Sequence, residues 1–231
     1  MQVVKSIGLI KPPIFSHSGV KAFFSTNSFN HSVESIAGFV NVSRHSVYFP
    51  VQKHTDKIHI LESDLKPVIA DAVVTDRKGL LIGVQTADCV PVLLLDNKRV
   101  VIGAVHAGWR GTAKQILKKT IKIMLDEFHS SKKDILIATG PSIRKCCYCV
   151  KDDVHEAVSR ATGKGNYCYK KKDKYFIDLA SANMIQALAM GILQKNIWQF
   201  DECTSCNPDR FYSYRYSKGR TGRQGGFIGI F

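Results

Sequence analysis

Residues 68–105 carry four apolar runs in close succession, "VIADAVVTD", "GLLIGVQT", "VPVLLLD" and "RVVIGAVH". They are rich in Val, Ile and Leu and are separated by short Asp, Gly, Asn or Lys breaks, which predicts consecutive strands of a sheet. The period then changes. In "GTAKQILKKTIKIMLDEF", Ala113, Ile116, Leu117, Ile121, Met124, Leu125 and Phe128 form one apolar stripe. Lys114, Lys118, Lys119 and Lys122 lie mostly off it, as on a surface helix. Further on, "DILIATG" reads as a strand, "KDDVHEAVSRAT" and "DLASANMIQALAMG" as helices, and "GGFIGIF" as a closing strand. Successive strands followed by helix–strand alternation predict an α+β fold of mixed and antiparallel sheets packed with helices. Residues 15–50 are rich in Ser, Asn and Phe and have poor periodicity. No linker is visible, so residues 1–231 read as a single domain.

A hydrophobic content of 45% is ample for a core and excludes a disordered chain. The start, "MQVVKSIGLIKPP", is too short and weakly apolar for a signal peptide, and no run approaches the ~18 apolar residues of a membrane span. Seven cysteines is an odd number, and they crowd as "CCYC" and "CTSC" where a disulfide framework would spread them. That usage suits a reducing compartment, and the chain is expected to be cytoplasmic and soluble. The formal charge of +14 suits an anionic partner, although a lysine-rich solvated surface is the favoured account of it. No nucleic-acid module is present, neither the aromatic RNP pattern nor Cys and His at finger spacing. Neither a nucleic acid nor a membrane is expected as partner.

Three segments place a potential ligand where a strand begins or ends: "VQKHTDK" with His54, "TADCVPV" with Cys89 and "AVHAGWRG" with His106. Cys89 opens one predicted strand and His106 closes the next, so an antiparallel pair returns them to the same end of a sheet. With a third ligand from an earlier loop they would form a three-coordinate site with an open fourth position, and Cys sulfur and His nitrogen suit Zn²⁺. Spacing alone leaves the alternative open, in which Cys89 is inert packing and each His a satisfied structural residue.

The segments "DAVVTDRKGLLIGVQTADCVPVLLLD", "GAVHAGWRGT", "GPSIRKCCYCV" and "CTSCNPDRFYSYRYSKGRTGRQGGFI" closely resemble the YfiH/laccase-domain family, also called multicopper polyphenol oxidase or purine nucleoside phosphorylase laccase-domain proteins. The resemblance runs from about residue 50 to the C-terminus and leaves residues 1–49 as a divergent N-terminal part. It implies a YfiH-like fold and a catalytic metal site of His54, Cys89 and His106, filled by zinc, with copper the other metal linked to the family. "QKHT" stands where the family has Gln-Val-His-Gly, so Lys53 and Thr55 depart from the pattern. "GVKAFFSTNSFNHSVESIAGFVNVSRHSV" keeps only fragments of the family's upstream half.

The activity implied is phosphorolysis of adenosine or inosine, with methylthioadenosine a further substrate, to free base and ribose 1-phosphate. Adenosine deamination is a natural second reaction at such a site. The partners expected are thus a purine nucleoside and phosphate. Arg110, Arg220 and Arg223, together with Arg215, are candidates to gather around phosphate, since guanidinium binds it bidentately. Trp109, Phe211, Tyr212 and Tyr214 are candidates to stack on a purine, although such aromatics more often belong to a core. Three other readings compete, two of them enzymes that use the same residues and one a non-catalytic protein. A cysteine hydrolase or amidase would use Cys89 activated by His106. A copper polyphenol oxidase would place Cys89 in a His₂Cys site but needs many more histidines than the eight present, none in a His-x-His pair. A basic binding protein would have lost its catalytic pocket. Finally, "CTSC" has the spacing of a redox pair, or of half a structural zinc site completed by "CCYC"; free buried thiols are the expectation.

Overall fold

The computed structural model describes residues 8–29 and 32–231. The first seven residues of the opening segment "MQVVKSIGLIKPP" lie outside the described residues. Strands β1 (Leu9–Ile10) and β2 (Val20–Ser25) are followed by helix α1 (Val33–Val40), β3 (Val47–Tyr48) and β4 (Ile58–Ile60). The four apolar runs become β5 (Ala72–Thr75), β6 (Leu80–Thr86), β7 (Val90–Asp96) and β8 (Val101–Ala107). Then come α2 (Trp109–Ala113), α3 (Ile116–Asp126), β9 (Ile135–Thr139), β10 (Cys149–Val150) and α4 (Asp152–Thr162). The order closes with β11 (Cys168–Lys171), β12 (Lys174–Ile177), α5 (Leu179–Ala189), β13 (Ile197–Gln199) and β14 (Gln224–Ile230).

The strands form a six-stranded sheet ordered β13-β9-β7-β8-β5-β4, a five-stranded sheet ordered β1-β2-β14-β6-β3, and a small sheet ordered β10-β12-β11. Parallel pairs (β4 with β5, β3 with β6, β9 with β13) sit among antiparallel ones, so the architecture is the mixed α+β one expected. One expectation fails. The four runs are not consecutive strands of one sheet, because β6 leaves its neighbours to pair with β14 and β3.

The reason lies in the layering. The two large sheets pack face to face, with Ile82, Val84 and Ile228 of one meeting Leu93, Leu95, Ile102 and Ala104 of the other. On the far side of the six-stranded sheet, Val92, Leu94, Val101 and Val105 pack against Ile116, Leu117, Ile121 and Met124 of α3 and Ala182 of α5. On the far side of the five-stranded sheet, Phe23, Leu81 and Phe227 meet Ile36 and Val40 of α1. The central strands are therefore covered on both faces, which replaces alternation by continuous apolar runs. Each fully buried Leu or Val side chain contributes about 1.5–3 kcal/mol relative to exposure. Such a run specifies burial but not which sheet the strand joins.

The single helix predicted over 111–128 is two helices. Gln115 between them is left-handed at φ 60°, and its side-chain Nε2 donates to the Ala161 carbonyl at 2.7 Å. Neither Gly nor Pro marks this break; a tertiary hydrogen bond holds it. The apolar stripe survives, with Ile116, Leu117, Ile121 and Met124 fully buried. Among the described residues no helix is long and apolar enough to cross a membrane.

Candidate metal centre

Strand register assembles the site. In the antiparallel β7–β8 pair, Val90 lies opposite Ala107 and Pro91 opposite His106. Cys89, one residue before β7, is thus level with Gly108, one residue after β8. In the β5–β8 pair, Ala72 lies opposite Val105, which puts Asp71 level with His106. The His106 amide accordingly donates to the Asp71 carbonyl at 2.7 Å. Alternate residues of a strand share a face, so His106 points to the same side as Ile102 and Ala104, at one end of the layer between the sheets.

His54 arrives from the loop between β3 and β4, and Asp71 holds that loop. The fully buried Asp71 carboxylate accepts from the amides of Lys53 at 3.2 Å, His54 at 3.0 Å and Thr55 at 2.6 Å, and from Thr55 Oγ1 at 2.7 Å. The chain must curl tightly to aim three successive N–H groups at one carboxylate, and His54 takes a left-handed φ of 57°. The same carboxylate bonds His106 Nδ1 at 2.7 Å. One side chain therefore positions both histidines. Gln52 fastens the loop from the other side, since its Nε2 donates to the Gln85 carbonyl and its Oε1 accepts from the Gln85 amide, both at 2.8 Å.

His54, Cys89 and His106 each offer a ligand atom within 4.8 Å of the others, a group able to hold a metal ion. Cys89 Sγ lies 3.9 Å from His54 Nε2, and the two imidazole rings are 4.8 Å apart, nearly edge to face. Gly108 makes the close approach possible. A Cβ there would stand 3.0 Å from Cys89 Sγ and 3.1 Å from His54 Cδ2. Burial pushes the Cys89 thiol up, but His106 and His54 outweigh it and bring the thiol down to about 6. Burial pulls the His106 imidazolium down, but the Cys89 thiolate and Asp71 carboxylate raise it to about 9. Burial likewise works against the Asp71 carboxylate, whose hydrogen bonds to His106 and Thr55 nevertheless hold it well below the usual range. The centre is a set of mutually stabilising charges.

These residues line a cavity of ≈ 650 Å³. Arg110, Arg215 and Arg223 also line it, whereas Arg220 does not. The Arg110 guanidinium lies over the Trp109 ring, 4.4 Å from its centroid, and Arg215 lies 5.2 Å over Tyr148 while donating to the Cys149 carbonyl at 3.0 Å. Among the described residues no carboxylate forms an ion pair with Arg110, Arg215 or Arg223. Of the aromatics singled out from sequence, Trp109 and Tyr214 face the cavity, Phe211 is buried core, and Tyr212 lies outside the lining.

Two residues escaped the sequence reading. Asp71 carries the most connections, and its signal was a lone acid between Ala70 and Ala72 at the head of an apolar run. Tyr148, inside the cysteine motif, lines the cavity, and burial raises its phenol so that it stays neutral. Asp88, the residue before Cys89, is engaged elsewhere, accepting from Thr204 Oγ1 at 2.6 Å and the Arg215 amide at 2.7 Å. The cysteines of "CCYC" and "CTSC" are free thiols as expected, but not all buried: Cys146 and Cys206 are exposed.

The model of a family described as multi-copper polyphenol oxidoreductase laccase matches residues 25–231, beginning upstream of the point where the motifs become readable. The chain is 35% identical over 216 residues to a purine nucleoside phosphorylase of Clostridium acetobutylicum, spanning 92% of this chain and 88% of that protein. It is 39% identical over 176 residues to a purine nucleoside phosphorylase of Aquifex aeolicus, spanning 76% and 79%. Its fold is similar to the crystal structure of Bacillus licheniformis hypothetical protein YfiH, with a TM-score of 0.90, 27% identity and 98% of each chain covered.

Proposed function

This chain belongs to the multi-copper polyphenol oxidoreductase laccase family, the YfiH/laccase-domain proteins, and on that premise we propose that it is a zinc-dependent purine nucleoside phosphorylase. The observation that carries this reading is the meeting of His54, Cys89 and His106 in one cavity with aromatic walls and three guanidinium groups that form no ion pair among the described residues. The donor set fits zinc. It offers one thiolate and two imidazoles, and three protein ligands leave a fourth position for water or substrate. The Asp71 bond to His106 Nδ1 leaves Nε2 for the metal, the carboxylate–histidine arrangement common around zinc. Bound zinc supplies a Lewis acid that polarises an oxygen ligand.

The remaining work belongs to the chain. Arg110, Arg215 and Arg223 bind phosphate, and guanidinium forks fit its oxygens. Trp109, Tyr148 and Tyr214 offer ring faces to the base, and the neutral Tyr148 phenol is a hydrogen-bond donor beside it. In the reaction the bond from the ribose anomeric carbon to the base breaks, the base leaves with the electron pair and takes up a proton, and a phosphate oxygen bonds to that carbon. Phosphate held by arginines stands against the positive charge that develops there. Adenosine and inosine are the substrates inferred, and hydrolytic deamination of adenosine is a second reaction suited to the site.

Zinc is favoured over laccase-type copper because of the histidine supply. Two groups among the described residues can hold a metal, and only one contains histidine. The cysteine-hydrolase alternative rests on the lowered Cys89 thiol beside His106, which is also a nucleophile pair.

Purified protein incubated with adenosine or inosine is expected to release free base and ribose 1-phosphate only when phosphate is present. Base release without phosphate would indicate a hydrolase, and no turnover of either nucleoside would overturn the substrate assignment. Arg110→Ala is expected to raise the KM for phosphate about 10-fold or more, the ~1.5–3 kcal/mol of a charged hydrogen bond, with zinc content unchanged. Equal loss of both would assign Arg110 to the turn that carries His106. For Gly108→Ala, crowding of Cys89 and His54 is expected to lower zinc affinity about 10-fold, at the low end of what displaced supporting groups cost. Competition against a chromophoric chelator measures it, and unchanged affinity would show that the centre tolerates the added carbon.

A further inference from the structure

Far from each other in sequence, "CCYC" and "CTSC" meet at the surface. The sulfurs of Cys146, Cys147, Cys203 and Cys206 all lie within 4.8 Å of one another. Cys206 Sγ is 3.5 Å from Cys146 Sγ and 3.3 Å from Cys147 Sγ. A tetrahedral ZnS₄ unit with Zn–S ~2.3 Å has sulfur–sulfur edges of about 3.8 Å. A disulfide needs ~2.05 Å, and all four cysteines are free. Burial does not explain the cluster either, since Cys146 and Cys206 are exposed and only Cys203 is buried.

The backbone around the sulfurs is arranged as for ligands. Cys146 and Cys147 sit in a turn closed by the Cys147 and Tyr148 amides, which donate to the Arg144 carbonyl at 3.0 and 2.9 Å. Cys203 bridges to Ser142, and the Thr204 amide donates to the Ser142 carbonyl at 3.1 Å, which brings the two segments side by side. The Arg144 amide donates to Cys203 Sγ at 3.4 Å, and Asn207 Nδ2 donates to the Cys203 carbonyl at 2.9 Å. An N–H aimed at sulfur supports a thiolate, as outer hydrogen bonds do for metal ligands generally. Cys203 and Cys206 have the C-x-x-C spacing of structural zinc sites.

We propose that Cys146, Cys147, Cys203 and Cys206 form a second metal centre, a four-thiolate site of the structural zinc class that clamps together the two segments walling the cavity. The first segment carries Ile143 and Tyr148, and the second leads to Tyr214 and Arg215, all four of which line the cavity. Thr204, between the second pair of ligands, bonds Asp88 next to Cys89. The clamp therefore sits behind the substrate wall and outside the His54–Cys89–His106 group. It does not depend on the nucleoside reading.

Metal content of protein purified without chelators is expected to be two equivalents per chain by plasma mass spectrometry. In His54→Ala one equivalent should remain, and its X-ray absorption should show sulfur ligands only, at about 2.3 Å. Cys147→Ser with Cys206→Ser should lose that equivalent, keep the other, and melt at a lower temperature. The His54→Ala measurement keeps the proposal testable if the double variant fails to fold. One equivalent in the wild type with all four thiols reactive, a nitrogen or oxygen shell in His54→Ala, or disulfides among these cysteines would each overturn the second centre.

Discussion

Asp71→Asn is expected to weaken zinc binding at His54, Cys89 and His106 by about 10–100-fold, the usual cost of losing a partner that orients a ligand histidine. Catalysis should fall with it. The carboxylate receives five hydrogen bonds, with Oδ1 taking those of the His54 amide and His106 Nδ1, and Oδ2 those of the Lys53 amide, the Thr55 amide and Thr55 Oγ1. An amide offers one acceptor in place of two. Whichever way it turns, its NH₂ faces donors, either at His106 and His54 or at Lys53 and Thr55. Each buried group left unsatisfied costs about 1–3 kcal/mol, so a lower melting temperature should accompany the lost affinity. A competition titration measures the first effect and thermal denaturation the second. Wild-type affinity in Asp71→Asn would mean that register alone positions the histidines.

Cys89 supplies the second large effect, and its sign follows from the direction of its shift. The thiol ionises as pH rises, and in metal-free protein it does so near 6 instead of 9.0. His106, raised to about 9, stays protonated over the interval between. From about 6 to 9 the metal-free centre therefore holds a thiolate–imidazolium pair. Alkylation of Cys89 by iodoacetamide, followed on its tryptic peptide, should rise through about pH 6 and then level. At pH 7 it should exceed an ordinary thiol only about 3- to 6-fold, because the gain in thiolate is offset by the lower nucleophilicity of a weaker base. Zinc should suppress the reaction, since the metal occupies the sulfur lone pair. Equal alkylation with and without zinc would remove Cys89 from the ligand set.

The legible part of this protein is where local pattern and burial agree. Strands β5 to β8, β9 and β14 and helices α4 and α5 are written as apolar runs or stripes, and the register of the β7–β8 hairpin returns Cys89 and His106 to the same end of the sheet. What stayed hidden depends on contacts distant in sequence. The sheet that β6 joins was illegible because strands covered on both faces carry no alternation. The break at Gln115 rests on its bond to the Ala161 carbonyl, which no neighbouring residue announces. Asp71 drew no attention within "VIADAVVTD", because only the pairing of β5 with β8 sets it beside His106. Arg220 and Arg223 are indistinguishable in "GRTGR", yet only Arg223 lines the cavity. The cysteine cluster was one of three readings of "CCYC" and "CTSC" and not the one expected, because the Ser142–Cys203 bridge that brings the two segments together is a contact distant in sequence.

On the proposed reading, phosphorolysis in this cavity requires a metal held by His54, Cys89 and His106. One preparation can be assayed with adenosine and phosphate before chelation, after chelation, and after zinc is restored, with ribose 1-phosphate as the product measured. Product should form at first, stop when the metal is removed, and return with zinc. Undiminished activity in verified metal-free protein would exclude a catalytic role for the metal and favour catalysis by the Cys89 thiolate.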